Sequence, residues 1–396
     1  AKKFPDRACT IFKGRVVTYR EMSELTDRMA AALAGLGVKK GDRVGIFIPN
    51  TPQFVVAYYG ILKAGGIVVA TNPLYTPREI EHQLNDAGVE LMVVMSNFYN
   101  RIKEVQPKTR LKTLVVTNIK ELFTLAKEKK DGHRVDLAPG DVWMKDLLAK
   151  YTPADRPKVS IAGSDLALFQ YSGGTTGLSK AAMATHSNLV ANMRQIAAWL
   201  HPFREGGERT LMAIPLFHVY GMVGGMLISV AMGSALVMVP NPRDLKDVLE
   251  NIVKFRPTYY PGVPAMYNAL NNHPDVKAGK VDLSSIRYCA SGSAPLLLET
   301  KQTFEKLSGG TVFEAYGLSE APTATHGNPL SGVNKAGSIG MPLPDTESKL
   351  VSLEDGVTEV APGEEGELII RGPQVFKGYW NMPTETANTL RDLHDG

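Results

Sequence analysis

Apolar positions in the first quarter of the chain follow two alternating patterns. Thr18-Tyr19-Arg20-Glu21 is a capping box, and Met22, Leu25, Met29, Leu33 and Leu36 then recur at helical spacing, predicting one buried helix face. Gly35 and Gly37 end that helix. Gly41-Asp42 opens a short apolar run, Val44–Ile48, which reads as a buried strand. Thr51–Leu62 reads as a second helix closed by Gly65-Gly66, and Ile67–Ala70 as a second strand. Thr76-Pro77-Arg78-Glu79 repeats the capping box with proline at the first helical position, and Leu91–Met95 is again strand-like. This alternation predicts an α/β fold with a mostly parallel sheet covered on both faces.

The rhythm weakens between about Lys120 and Lys158, a polar stretch expected to be a surface excursion. It resumes at Asp165 and runs to about Ser319. Beyond Pro329, short β-like runs (Glu347–Val351, Glu367–Arg371) stand between Gly/Pro turns and suggest a small β subdomain. From Thr210 to Pro242 no Asp, Glu, Lys or Arg occurs, which invites a membrane reading. Pro215, His218, Tyr220 and Gly233 interrupt the run. It is expected to fold as strand (Leu211–Pro215), helix (Tyr220–Ala231) and strand (Ala235–Val239). The favoured reading is a fully buried helix between buried strands; such a wall could also line an apolar tunnel, with Gly221, Gly224 and Gly225 either leaving room or packing tightly.

Composition narrows the classes. The 396 residues are 44% apolar, enough for a sizeable core and more than one lobe. Net charge is +4 without a Lys/Arg block, so no nucleic-acid partner is expected. Cys9 and Cys289 form no C-x-x-C pattern and suit a reduced, cytoplasmic protein. His186 and His201 lack metal-site spacing. No G-x-S-x-G elbow and no G-x-G-x-x-G after a strand is present, so hydrolase and dinucleotide readings are unsupported.

The strongest local chemistry lies at Tyr171-Ser172-Gly173-Gly174-Thr175-Thr176-Gly177-Leu178-Ser179-Lys180, after the apolar strand Leu166–Phe169. Glycines allow backbone N–H groups to approach an anion. Hydroxyls and a lysine add donors suited to phosphate oxygens. The spacing is not G-x-x-x-x-G-K-[ST], so this is no P-loop of that kind. Ala181–Thr185 reads as a strand rather than a helix. On composition alone the stretch could also be a flexible surface loop.

The wording of this loop resembles the phosphate loop of the adenylate-forming superfamily, which includes acyl- and aryl-CoA ligases, peptide-synthetase adenylation domains and luciferase. That loop commonly reads T-S-G-T-T-G-x-P-K-G. Here Gly173 replaces Ser, Ser179 replaces Pro and Ala181 replaces the last Gly. The pair Gly173-Gly174, with Met183, Thr185 and His186, resembles bacterial long-chain fatty acyl-CoA ligases. Further motifs follow in family order: Pro215-Leu216-Phe217-His218, Ser291-Gly292-Ser293-Ala294-Pro295 and Glu314-Ala315-Tyr316-Gly317-Leu318-Ser319-Glu320. Gly337-Ser338-Ile339-Gly340-Met341-Pro342, Glu365-Gly366-Glu367-Leu368 and Gly378-Tyr379-Trp380 complete the series.

The resemblance implies two α/β lobes interleaved within residues 1–330, a small β subdomain at 331–396, and a C-terminal cap domain absent from this sequence. It implies that Ser172, Gly173, Gly174, Thr175, Thr176, Gly177 and Lys180 hold the ATP phosphates. Gly292, Ser293 and Ala294 would border adenine, with Tyr316 stacked on it and Gly317 beside it. Ser319 would hydrogen-bond the α-phosphate or the acyl carboxylate, and Glu320 would bind Mg²⁺. His218, Met222 and Gly262 would line the acid site. The implied reaction joins a fatty acid to ATP as an acyl-adenylate, then to coenzyme A. The family's ribose-clasping T-G-D and the cap lysine lie beyond Gly396, so this fragment is expected to turn over poorly. A fatty acyl-AMP ligase, an aryl-CoA ligase, or a non-catalytic nucleotide- or lipid-binding protein are the rival readings. Peripheral association with a membrane, where a soluble enzyme could collect lipid, stays open.

Overall fold

A computed structural model of the chain describes residues 1–121, 135–172 and 179–392. The first strands, β1 (Ala8–Phe12) and β2 (Arg15–Thr18), form an antiparallel hairpin. Lys13 and Gly14 turn it with positive φ at both positions, 47° and 81°, as a two-residue type I′ turn requires. This Lys-Gly pair is the signal the hydrophobic periodicity alone passes over. The expected capping box follows, with Thr18 Oγ1 accepting from Glu21 N–H and the Glu21 carboxylate accepting from Thr18 N–H. The helix Tyr19–Gly35 buries Met22, Leu25, Met29 and Leu33, as their spacing predicts.

A seven-stranded sheet is built from β3 (Arg43–Phe47), β4 (Ile67–Ala70), β5 (Leu91–Met95), β6 (Thr113–Thr117), β7 (Val142–Trp143), β8 (Leu166–Ser172) and β9 (Lys180–Thr185). Its order is β7-β6-β5-β3-β4-β8-β9, parallel except between β8 and β9. Helices Pro52–Lys63 and Pro77–Ala87 cover it; Thr76 caps the second, with Pro77 at its start. The polar stretch after Lys120 is more than an excursion. Residues 122–134 lie outside the described residues, but β7 extends the sheet, and Trp143, Met144, Leu147 and Leu148 are buried. Four apolar side chains among polar neighbours suffice to dock a strand and one helical turn there.

The second sheet uses β10 (Arg209–Met212), β11 (Ala235–Met238), β12 (Tyr259–Gly262), β13 (Tyr288–Ser291), β14 (Thr311–Leu318), β15 (Ala321–Gly327) and β16 (Met341–Pro342). Its order is β16-β15-β14-β13-β12-β10-β11-β1-β2, so the N-terminal hairpin completes a sheet made mostly of residues beyond 208. One core cluster joins both sheets through the helices Tyr19–Gly35 and Pro52–Lys63. These helices touch at Gly60, where a Cβ would lie 2.4 Å from Met29 Cγ. Asn50, just after β3, is buried and fully paired. Its amide donates to the Met212 and Ile214 carbonyls (2.9 and 2.8 Å), and its oxygen accepts from Leu216 N–H (2.8 Å). The two sheets are thereby fastened where the uncharged segment begins.

That segment departs in detail from its expected form. Its first strand spans Arg209–Met212, and residues 220–227 wind as a π-helix before one α-helical turn, Ile228–Ala231. Glycine-rich sequence resists regular α-helix, and here close packing fixes the result. A Cβ on Gly221 would lie 2.1 Å from Pro215 O, and one on Gly225 would lie 2.5 Å from Met212 Cε. These two glycines serve tight packing. Among the described residues no helix is long and apolar enough to cross a membrane.

Of residues 331–396, Met341–Pro342 pairs with β15, while β17 (Glu347–Val351) and β18 (Glu367–Arg371) form their own antiparallel pair. Residues 377–380 return to β9: Lys377 and Trp380 N–H donate to Met183 and Ala181 carbonyls, both at 2.9 Å, and Met183 N–H donates to Gly378 O at 2.9 Å. Cys9 and Cys289 are free and buried; burial pushes the Cys9 thiol up to about 12.

Candidate functional site

The site takes shape at the edge of the seven-stranded sheet. β8 and β9 part at Ser172, which pairs with Lys180. Between them Gly173, Gly174, Thr175, Thr176 and Gly177 lie outside the described residues. Both flanks are firmly held. Tyr171 Oη donates to Asp86 Oδ2 at 2.6 Å, and burial together with that carboxylate raises the phenol's pKa, so it remains a donor. On the other side, the strap formed by residues 377–380 is hydrogen-bonded along β9. Trp380 anchors the strap, its ring 5.0 Å from that of Phe169 and its Nε1 donating to Asp86 O at 3.1 Å.

The strap carries a side chain that joins two of the predicted catalytic residues, Lys180 and Glu320. Tyr379 Oη donates to Glu320 Oε1 at 2.5 Å. The Lys180 ammonium sits 5.5 Å from the Tyr379 ring centroid, within range of a cation–π attraction. Lys180 also forms an ion pair with Glu385, on the short helix Pro383–Thr389. Burial raises the Tyr379 pKa and the Glu320 carboxylate raises it further, so the phenol stays protonated and donates. Glu320 is tied by its backbone too, its carbonyl accepting from Phe376 N–H at 2.7 Å. Lys180 and Glu320, remote in sequence and on different sheets, therefore face one ring.

Glu320 lies at the turn between β14 and β15. Gly317 is obligatory there, because a Cβ would fall 1.5 Å from Thr323 O. Ser319 is half-buried beside Glu320. Tyr316 leaves 37% of its surface exposed, its ring edge-on to His326 at 6.1 Å, which leaves a face for a planar ligand. Register places the remaining predicted residues at the same end of the sheet. Gly262, Ser291 and Glu314 are neighbours across β12, β13 and β14. Ligands of open α/β sheets gather at the carboxyl ends of such strands. Gly292 follows directly. A Cβ there would meet Ala315 O at 3.3 Å and the Tyr220 ring at 3.4 Å. Ser293 (φ 68°) and Ala294 are exposed. The Ser291 hydroxyl is buried without a partner among the described residues.

The predicted acid-side residues differ in burial. His218 is exposed; its Nδ1 accepts from Tyr220 N–H at 3.2 Å, and desolvation by the surrounding atoms lowers its pKa. Met222 is fully buried, its N–H donating to His218 O at 2.9 Å, and Gly262 is buried. Tyr220 binds this wall to the strand ends, its hydroxyl 2.8 Å from Ala290 O and 3.3 Å from Gly262 O. A cleft of about 430 Å³ opens beside Glu320, between Leu318, Phe376, Asn388 and the hairpin residues Leu368 and Ile370. That volume lies within the range of small-ligand sites.

Sequence reasoning did not assign roles to Tyr379 or Glu385, nor to the polar face of the helix His186–Trp199. Asn188, Asn192, Gln195 and Trp199 stand at helical spacing, and each grips a part of the site. Asn188 donates to Pro373 O and Val375 O (2.9 and 2.8 Å). Asn192 donates to Ala324 O at 2.6 Å and accepts from Thr323 N–H at 2.7 Å. Gln195 donates to Pro344 O at 2.7 Å, and Trp199 to Asn328 O at 3.1 Å. Amides at Asn188, Asn192 and Gln195, on the face opposite the exposed Ser187, Val190, Arg194 and Ala198, are the signal that could have revealed this spine.

Comparison with known proteins supplies the family. The sequence pattern of the AMP-binding enzymes matches residues 1–380. A long-chain-fatty-acid–CoA ligase of Bacillus subtilis (strain 168) is 41% identical over 404 aligned positions, covering 99% of this chain and 71% of its own. The crystal structure of a long-chain-fatty-acid–CoA ligase from Archaeoglobus fulgidus superposes with a TM-score of 0.84 at 29% identity, covering 98% of this chain and 76% of its own. An ATP-bound MatB from Rhodopseudomonas palustris superposes with a TM-score of 0.83 at 26% identity, covering 98% of this chain and 71% of its own.

Proposed function

Because this chain belongs to the AMP-binding enzyme family, we propose that it activates a long-chain fatty acid with ATP as the acyl-adenylate and transfers the acyl group to coenzyme A. The observation that carries this reading is the meeting of Lys180 and Glu320 around Tyr379, at the mouth of β8 and β9. It puts one cation and one carboxylate beside the loop expected to hold a triphosphate. The fatty-acid preference rests on likeness to the Bacillus and Archaeoglobus proteins.

Acid and nucleotide are both anions, so charge repulsion is the main part of the barrier. The carboxylate needs no general base. Its oxygen bonds to the α-phosphorus as the bond to the bridging oxygen breaks, and pyrophosphate departs with the electron pair. Lys180 opposes the charge on the phosphates, as preorganised cations do in phosphoryl transfer. Ser319 donates to the α-phosphate or acyl oxygen, Tyr316 offers its open face to adenine, and the backbone of Gly292, Ser293 and Ala294 borders it. His218 marks the acid's approach.

The residues present fit Mg²⁺. Glu320 is a half-buried carboxylate with one oxygen held by Tyr379, and among the described residues no cluster of three His, Cys, Asp or Glu could hold a metal unaided. Magnesium characteristically takes one or two carboxylates and completes its shell with water and substrate phosphates. Held by Glu320, it would neutralise phosphate charge. Collection of the fatty acid at a membrane surface from the cytoplasm completes the reading.

The test is pyrophosphate release with ATP, Mg²⁺ and a series of fatty acids, followed by thioester formation with coenzyme A. Lys180→Ala should lower release about 10²-fold. Release that is unchanged in Lys180→Ala, or indifferent to chain length, overturns the assignment.

A further inference from the structure

Lys180 does not wait unpartnered for its ligand. Its ammonium is paired with the Glu385 carboxylate while lying over the Tyr379 ring. Glu385 stands on the helix Pro383–Thr389, which is fixed to the strap rather than to the sheet that carries Lys180. Thr386 Oγ1 accepts from Tyr379 N–H at 2.9 Å and donates to Met382 O at 2.9 Å. Gly378, at φ 116°, lets the strap turn closely over Thr386; a Cβ there would lie 2.5 Å from Thr386 Cγ2. The strap thus presents two polar groups in register: Tyr379 Oη to Glu320, and the Glu385 carboxylate to Lys180.

A carboxylate and a phosphate oxygen make the same demand on an ammonium, so the Glu385 carboxylate takes one of the three Nζ donors and offsets part of its charge before a phosphate arrives. The pair is also partly open to water, with 28% of the Lys180 and 44% of the Glu385 side-chain surface exposed. Its strength is therefore modest and it can be displaced.

Resting on the reading that Lys180 binds ATP phosphate, we propose that Glu385 is a positioning residue that occupies the phosphate's place on Lys180 until a nucleotide triphosphate displaces it. Glu385 keeps the lysine over the Tyr379 ring. It also sets a threshold: a ligand without phosphate gains nothing by competing for the ammonium, whereas a triphosphate exchanges one anion for another. Glu385 touches no reacting atom in this scheme and acts through Lys180.

The sign of one substitution separates this role from a structural one. ATP and adenosine binding are measured by titration calorimetry on the wild type, Glu385→Gln, Glu385→Ala and Lys180→Ala proteins. Removing the competing charge should tighten ATP about two- to five-fold, the scale of a partly exposed ion pair. Adenosine affinity should not change. A purely structural Glu385 would weaken both ligands or neither. Unchanged or weaker ATP binding in both Glu385 variants overturns the inference, as does equal tightening of adenosine. If either variant unfolds, the other carries the test. Lys180→Ala separates the two levels: ATP affinity unaltered there removes the underlying reading, whereas affinity lost there but not raised in the Glu385 variants refutes the exchange alone.

Discussion

Asn192 offers the most quantitative test of how the site is held. Its side chain is fully buried, donates to Ala324 O at 2.6 Å and accepts from Thr323 N–H at 2.7 Å and Ala324 N–H at 3.2 Å. Thr323 and Ala324 belong to β15, the strand that begins immediately after Glu320. Asn192→Ala removes these three bonds to β15, together with the one its amide donates to Gln195 Oε1 at 3.1 Å, at a site closed to bulk water. Net hydrogen bonds are worth about 1 kcal/mol each, and buried groups left unpaired cost somewhat more, so the loss should be about 3 kcal/mol. Unfolding entropy near 2.1 cal/mol/K per residue gives roughly 0.8 kcal/mol/K for a chain of 396 residues. The expected fall in Tm is therefore about 4 °C, read by differential scanning calorimetry. A shift below about 1 °C would show that β15 is held by its ladder partners and that the helix spine contributes nothing.

Two other substitutions probe the charged groups. Glu208 is buried and held by Arg287, whose guanidinium reaches its two oxygens at 2.7 and 2.5 Å, by Thr258 and by the Arg204 N–H. Burial alone would raise its pKa, but Arg287, then Thr258 and Arg204, outweigh that and hold it below the usual carboxylate range. A depressed folded pKa gives stability that is present above the unfolded value and is lost as pH falls through the folded one. Arg287→Ala should therefore cost about 3–5 kcal/mol at pH 7, with the deficit narrowing as pH falls from above the usual carboxylate range, because the stranded buried carboxyl takes a proton more readily than a free one; denaturant titrations across pH would contradict this if the deficit stayed constant. Tyr379→Phe removes the hydroxyl from Glu320 without emptying the ring's place under Lys180. It should raise the Mg²⁺ concentration needed for half-maximal pyrophosphate release by roughly three- to tenfold, the net worth of about one ordinary hydrogen bond, and an unaltered Mg²⁺ curve would remove Tyr379 from that role.

What could be read from the chain beforehand follows the reach of each interaction. The capping boxes at Thr18 and Thr76 involve residues three apart, and both form as read. The buried runs Ile67–Ala70 and Leu91–Met95 coincide with β4 and β5. Lys180 and Glu320 were picked out by the wording of their motifs. Their common partner Tyr379 was visible only as part of a Gly-Tyr-Trp series, because no periodicity links residues 180, 320 and 379. Trp143 and Met144 hid in a polar stretch, where burial is decided by what the sheet edge lacks rather than by a repeating pattern. The π-wound segment at Tyr220 has the same cause. Three glycines lower the preference for any one helix, and the surrounding strands decide which is adopted.

The hairpin at Lys13-Gly14 has a consequence for the time course of synthesis. β1 leaves the ribosome well before its parallel partner β11, which begins only at Ala235. At about 5–20 residues per second, some 220 intervening residues take roughly 10–45 s to appear. Throughout that interval the apolar strand Ala8–Phe12 has no sheet to join. The nascent chain must carry an unsatisfied edge while its other sheet assembles, a window in which a chaperone or a neighbouring ribosome's product would find it.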